Sequence, residues 1–229
     1  MTHTQIIAWL KKNKNPRNME GMKRFGIRPN DKLYGISVTE IRKLAKQIGK
    51  DTALALNLWD GGIHEARILA TIIAEPDKLR SSQLDKWVSE LKSWDINDQL
   101  CSNLLWRINK PEIKINKWSK DKREFTRRAG IVLLAALAVK NKQLPDSFFE
   151  KYFSLLKKYS TDERIYVKKA VSWALREIGK CRSEKLRLKT IKLAEQIKKL
   201  NTPSARWIAS DVIGELAKKK GSCRFDKHK

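Results

Sequence analysis

The sequence predicts an all-α protein: an α-solenoid built from helix pairs. Three observations predict it. Apolar residues recur at helical spacing, as in Leu84, Trp87, Val88 and Leu91. No stretch alternates apolar and polar residues with period two for long enough to make a strand. Finally, a polar or charged residue heads an apolar helix again and again. It does so at Glu65-Ala66-Arg67-Ile68, Asp98-Gln99-Leu100-Cys101, Arg128-Ala129-Gly130-Ile131, Lys169-Ala170-Val171 and Arg206-Trp207-Ile208-Ala209. The interval is roughly 30 to 40 residues, the range of two-helix units such as HEAT repeats. In a solenoid the second helix of each pair lines the concave face, so these heads would align along one groove.

Each element has its own warrant. Residues 3–14 read as a short amphipathic helix, broken at Asn15-Pro16-Arg17-Asn18. Met22 to Pro29 reads as a basic loop carrying Phe25. Ser37 and Glu40 form a capping box for a helix over 38–48, and Gly49 is its left-handed stop. Helices follow over 51–59, closed by Gly61-Gly62, then 64–74 before Pro76, then 83–91 and 95–107. Pro111 precedes a short helix over 113–118. The helix over 124–139 is apolar nearly all round, which places it centrally. One helix is expected over 147–159. Another runs over 163–178, capped by Thr161-Asp162 and ended by Gly179, and a strongly basic one covers 184–200. Thr202-Pro203 is an N-cap with proline at the first helical position, opening 204–217. Residues 1–217 are thus expected to form a single domain, and 218–229 a basic, disordered tail.

Composition narrows the partner. The 229 residues carry 50 Lys and Arg against 25 Asp and Glu, a formal charge of +25. An excess that large implies a polyanion: nucleic acid first, an anionic membrane surface second. Cys101, Cys181 and Cys223 are widely spaced, with no CxxC and no zinc pattern, and Cys101 lies in an apolar run. The N-terminal apolar run is too short for a signal sequence, and no segment approaches the ~18 apolar residues of a membrane span. A reducing, cytoplasmic location is expected.

The stretch Ser93-Trp94-Asp95-Ile96-Asn97-Asp98 puts an indole and a carboxylate four residues apart, hence on one helix face. From the residues alone two readings stay open. Asp95 could be an N-cap with Asp98 at N3 and Trp94 stapling the helix start. Alternatively, Asp98 faces developing positive charge beside an aromatic wall. Arg127-Arg128 and Lys168-Lys169 both head helices, where cations oppose the macrodipole by a few tenths of a kcal/mol each. They are therefore read as serving a phosphate outside the fold. Trp173 is either a core residue or a groove wall. His64-Glu65 resembles the start of HExxH, but Ile68 stands where the second histidine would be, which leaves the pair to structural or capping work. The sequence contains no phosphate-binding glycine loop, and no serine or cysteine nucleophile has an evident base.

Taken together, Trp94-x-x-x-Asp98, Arg127-Arg128-Ala129, Lys168-Lys169-Ala170-Val171-Ser172-Trp173 and Gly62-Ile63-His64-Glu65-Ala66-Arg67 resemble the DNA alkylation repair family of HEAT-like-repeat DNA glycosylases, the AlkD type. The resemblance spans nearly the whole chain and rests on the order and spacing of the motifs. It implies a right-handed α-solenoid of HEAT-like helix pairs, with duplex DNA bound in its concave basic groove. It also implies removal of positively charged alkylpurines, such as 3-methyladenine and 7-methylguanine, without base flipping and leaving an abasic site. It makes Asp98 the catalytic aspartate, Trp94 and Trp173 the groove tryptophans and Arg128 the groove arginine, with Arg127 as the other register. Arg127, Lys168, Lys169 and Arg206 are the expected DNA-binding cations. No metal, cofactor, membrane or obligate protein partner is expected, and the protein is expected to be monomeric. The alternative is a HEAT-repeat binder of damaged or branched DNA that does not excise.

Overall fold

The structure is a computed structural model that describes residues 1–27 and 31–218. All regular structure among these residues is helical, apart from an isolated parallel bridge between Lys32 and Ile63. The expected tail from Lys219 onward, and Arg28-Pro29 of the expected basic loop, lie outside the described residues. The chain divides into two compact units, Met1–Asn109 and a second beginning at Lys110. No helix among the described residues is long and apolar enough to cross a membrane.

The first unit contains α1 (His3–Lys12), α2 (Pro16–Arg24), α3 (Val38–Ile48), α4 (Thr52–Asp60), α5 (His64–Ile73), α6 (Ser81–Ser89) and α7 (Trp94–Asn103). Its hub is α5, which packs against α1, α3, α4 and α7. The α3 capping box forms as the sequence indicates. Ser37 Oγ accepts the Glu40 N–H at 3.2 Å, the Glu40 carboxylate accepts the Ser37 N–H at 3.3 Å, and Gly49 follows at φ +79°. The helix α2 corrects the expected break. Pro16 is the first residue of a helix, where its missing N–H costs no hydrogen bond, and Asn15 caps it by accepting the Asn18 N–H at 3.0 Å. No residue of α2 is fully buried, and its apolar face consists of Met19 and Met22 alone, too short for periodicity to reveal it. The helix expected over 95–107 also divides, into α7 and a single 3₁₀ turn at Leu105–Arg107.

The second unit contains α8 (Pro111–Trp118), α9 (Glu124–Lys140), α10 (Asp146–Glu150), α11 (Phe153–Tyr159), α12 (Ile165–Cys181), α13 (Glu184–Lys198) and α14 (Pro203–Ala217). As expected, α9 is central: every residue from Arg128 to Val139 is buried. It packs on α8 and α12, α12 packs on α14, and α14 packs on α13. The helix expected over 147–159 is two helices, α10 and α11. The break leaves Phe148, Phe149 and Tyr152 buried, with Phe148 edge-on to the other two rings at 5.3 and 5.6 Å.

Glycines mark two close approaches here. At Gly130 a Cβ would lie 2.5 Å from the Ser119 backbone nitrogen, so α8 and α9 meet where only hydrogen fits. Gly179, expected to end its helix, lies inside α12, where a Cβ would run into the Leu216 side chain of α14.

A repeat that the sequence reading did not isolate links α9 to α12. Asp121-Lys122-Arg123 precedes α9, and Asp162-Glu163-Arg164 precedes α12, about 40 residues on, a HEAT-like period. In each, the aspartate accepts the backbone N–H of its own arginine, at 2.8 and 3.1 Å, and pairs with that arginine's guanidinium. Arg127 of the first repeat then reaches Asp162 of the second at 2.7 Å. Burial pushes the Asp162 carboxyl up, but the hydrogen bonds from Arg164 and Arg127 outweigh it and hold the group at about 2. Around Asp121 the hydrogen bond from Arg123 dominates, and its carboxyl also sits at about 2.

Candidate nucleic-acid interface

The head of α5 is where Gly62-Ile63-His64-Glu65-Ala66-Arg67 acts, and its polar groups turn inward. Glu65 has no solvent exposure. Its carboxylate accepts the backbone N–H groups of Tyr34 at 3.0 Å, Gly35 at 2.6 Å and Ile36 at 3.3 Å. Arg67 pairs with Asp31 at 2.9 Å and donates to the Trp59 carbonyl at 3.1 Å. The loop 31–36 is thus tied to α5 by a buried anion and a short bridge. His64 is also fully buried, with Nε2 2.7 Å from Asp95 Oδ2 and no partner at Nδ1. Because a carboxylate accepts, His64 Nε2–H is the donor and Asp95 the acceptor of this bond. As expected, His64 and Glu65 serve the fold, but through tertiary contacts and not as caps.

That histidine sets the head of α7. Ser93, not Asp95, occupies the N-cap position, and it makes no capping bond; its hydroxyl donates to Asp95 instead. Burial pushes the Asp95 carboxyl up, yet the hydrogen bonds from His64 and Ser93 more than offset this and leave it below the ordinary carboxylate range. Asp98 then falls at the fifth helical position, beyond N3, so the capping alternative for the Asp95/Asp98 pair is corrected. Trp94 and Asp98 are both partly exposed and line one pocket of about 630 Å³, together with Phe25, Ile27, Ile36 and Gln99. The Trp94 indole N–H donates to the Phe25 carbonyl at 3.1 Å, which fixes the ring against the end of α2. Gln99 accepts from Arg42 at 3.1 Å and from Asn103 at 3.0 Å. Sequence reasoning missed Phe25 as a partner of Trp94, because a backbone carbonyl 69 residues away carries no residue signature.

The remaining sequence candidates belong to the second unit, and they divide into two kinds. Arg127 and Arg128 lie in the second turn of α9, behind Glu124, where the macrodipole penalty has largely faded. Arg127 also lies over the Tyr159 ring at 4.6 Å. Arg128 is 4% exposed and donates to the Tyr166 carbonyl at 2.8 Å, while the Tyr166 N–H donates back to Glu124 at 3.0 Å. Both arginines are thus engaged within the fold, Arg127 through Asp162 and Arg128 through the Tyr166 carbonyl. Lys168 and Lys169 also lie in a second turn, that of α12, but Lys169 is exposed and Lys168 sits over the Trp207 ring at 5.3 Å. Trp173 is partly exposed, not a core residue. Arg206 is exposed, and Asn201 holds its guanidinium at 2.8 Å. Among the described residues no group of three or more His, Cys, Asp or Glu is placed to hold a metal ion.

Paired helices, a period of about 40 residues and an Asp–Arg ladder between successive repeats define a helical-repeat protein of the HEAT-like class. The profile of a family described as DNA alkylation repair enzyme matches residues 6–215, and the chain belongs to that family. A solved structure superposes with a TM-score of 0.78 at 19% identity, covering 94% of this chain and 96% of the other. It is described as representing a new family related to the HEAT-like repeat DNA glycosylases, with affinity for branched DNA structures. Among curated proteins none matches the chain.

Proposed function

We propose that this protein is a monofunctional DNA glycosylase that hydrolyses the N-glycosidic bond of cationic alkylated purines, 3-methyladenine and 7-methylguanine, in duplex DNA. The observation that carries the reading is the pairing of Trp94 with Asp98 on one helix face, lining an open pocket. An alkylated purine already bears the positive charge of a good leaving group. It departs with the bonding electron pair as a neutral base, so no strong general acid, metal or cofactor is needed. The barrier lies in the oxocarbenium-like sugar left behind. Asp98 would stabilise that cation and orient the water whose oxygen joins C1′ while its proton is released. At 4 Å a charge pair is worth about 1 kcal/mol in water and about 4 kcal/mol at an effective dielectric of 20. The Trp94 face adds cation–π attraction of about 0.5–2 kcal/mol. In the second unit, the partly exposed Trp173 on α12 and the cations Lys168, Lys169 and Arg206 would contribute DNA contacts of their own.

One observation favours a second reading: the solved relative is described by its affinity for branched DNA. Under that reading the chain binds such DNA and excises nothing. The test is release of 7-methylguanine from methylated duplex by wild type and Asp98→Asn, with DNA affinity measured alongside. The variant is expected to lose about 100-fold or more in rate, with DNA affinity equal or improved. Equal release by both proteins removes Asp98 from catalysis. No release by a wild type that still binds branched DNA establishes the second reading.

A further inference from the structure

Trp207, at the head of α14, is 41% exposed and is the exposed tryptophan among the large apolar side chains of the described residues. It occupies the fifth helical position of α14, as Asp98 does in α7, Arg128 in α9 and Lys169 in α12. Lys168 lies over its ring at 5.3 Å. Arg206 is held beside it, its Nη1 donating to the Asn201 carbonyl at 3.0 Å and to the Asn201 side chain at 2.8 Å. Lys168, Lys169 and Arg206 have no carboxylate partner among the described residues. The acids closest in sequence are already engaged. Asp162 holds Arg127 and Arg164, Glu163 accepts the Ser204 N–H at 3.1 Å, and Asp211 pairs with Arg176 at 3.2 Å and accepts the Ser172 hydroxyl.

The patch therefore combines an exposed indole with three cations that have no carboxylate partner. Cations alone suit phosphates. An intact duplex presents phosphates and base edges but keeps its base faces stacked, so it gives an indole face little to bind. An unpaired base offers that face, with its own phosphates one bond system away. We propose that Trp207 is a stacking platform for an unpaired DNA base, with Lys168, Lys169 and Arg206 holding the flanking phosphates. This rests on the DNA-directed reading above but not on base excision.

The experiment compares binding of wild type, Trp207→Ala and Trp207→Phe to an intact duplex and to the same duplex with a short single-stranded gap carrying 2-aminopurine. Trp207→Ala is expected to weaken binding to the gapped DNA about ten-fold or more. It should leave intact-duplex affinity within about two-fold and abolish the quenching of 2-aminopurine by wild type. Trp207→Phe, which keeps a ring, is expected to retain most of both signals. Equal weakening on both DNAs, or no loss on the gapped DNA, overturns the proposal. Release of 7-methylguanine from intact methylated duplex is measured on the same proteins and is expected to be unchanged by Trp207→Ala. Absence of release in wild type would sink the glycosylase reading while the gap comparison still decides this one.

Discussion

The heads of α9 and α12 start from the same local plan and end in opposite states. Each follows an Asp-x-Arg turn, and each carries two adjacent cations in its second turn. At α9 the cations are consumed: Arg127 meets Asp162, and Arg128 is buried against the Tyr166 carbonyl. At α12 they stay at the surface, with Lys168 over Trp207 and Lys169 exposed. The next repeat makes the difference. The one after α9 presents a buried carboxylate and a carbonyl, whereas α14 opens with Thr202-Pro203, which caps its own helix at Ala205 and offers no acid. Whether such a cation is taken up by the fold or left at the surface is thus decided about 40 residues downstream.

Breaking the α9 side should give the largest effect. Asp162→Ala leaves Arg127 without its carboxylate in a largely buried setting and should cost about 3 kcal/mol, read from urea unfolding. The pH dependence follows from the depressed carboxyl, at about 2 against an ordinary 3.8. The stabilisation is fully present above about pH 4 and is lost as pH falls through about 2, so the gap between wild type and variant should close over that window. The two glycines extend the contrast to packing. Gly130→Ala meets backbone that cannot give way and should cost about 2 kcal/mol; Gly179→Ala meets the movable Leu216 side chain and should cost about 1 kcal/mol. On the α12 side, Lys169→Ala should leave stability within about 0.5 kcal/mol of wild type. Its effect should appear instead as a fall of about one in the slope of log affinity against log salt.

What the sequence disclosed, it disclosed through short-range physics. The Ser37/Glu40 box, the Thr202-Pro203 start, the buried α9 and the shared face of Trp94 and Asp98 all depend on residues within one or two turns. What stayed hidden depends on distant partners or on ambiguous residues. Proline starts a helix at Pro16 as readily as it stops one, and a glycine at a helix crossing looks like a glycine at a helix end, as Gly179 shows. The inward turn of Arg127 and Arg128 could not be read without Asp162 and the Tyr166 carbonyl. The setting of Asp95 needed His64, a residue 31 positions away.

The small helix α2 has a consequence in time. It buries none of its residues and is joined to the following loop by the Asn15 N–H on the Tyr34 carbonyl at 2.8 Å and the Asn18 side chain on the Gly35 carbonyl at 3.0 Å. Segments with so little burial open at a small fraction of the global unfolding free energy, and their amide protons exchange early. The Trp94 indole N–H donates to the Phe25 carbonyl at the end of this helix, while Asp98 stands on α7, which buries Ile96, Asn97, Leu100 and Cys101. The two halves of the candidate site are therefore expected to keep different clocks: the carboxylate should persist as long as the core does, while the hydrogen bond that orients its aromatic wall should break and re-form with each local opening of α2.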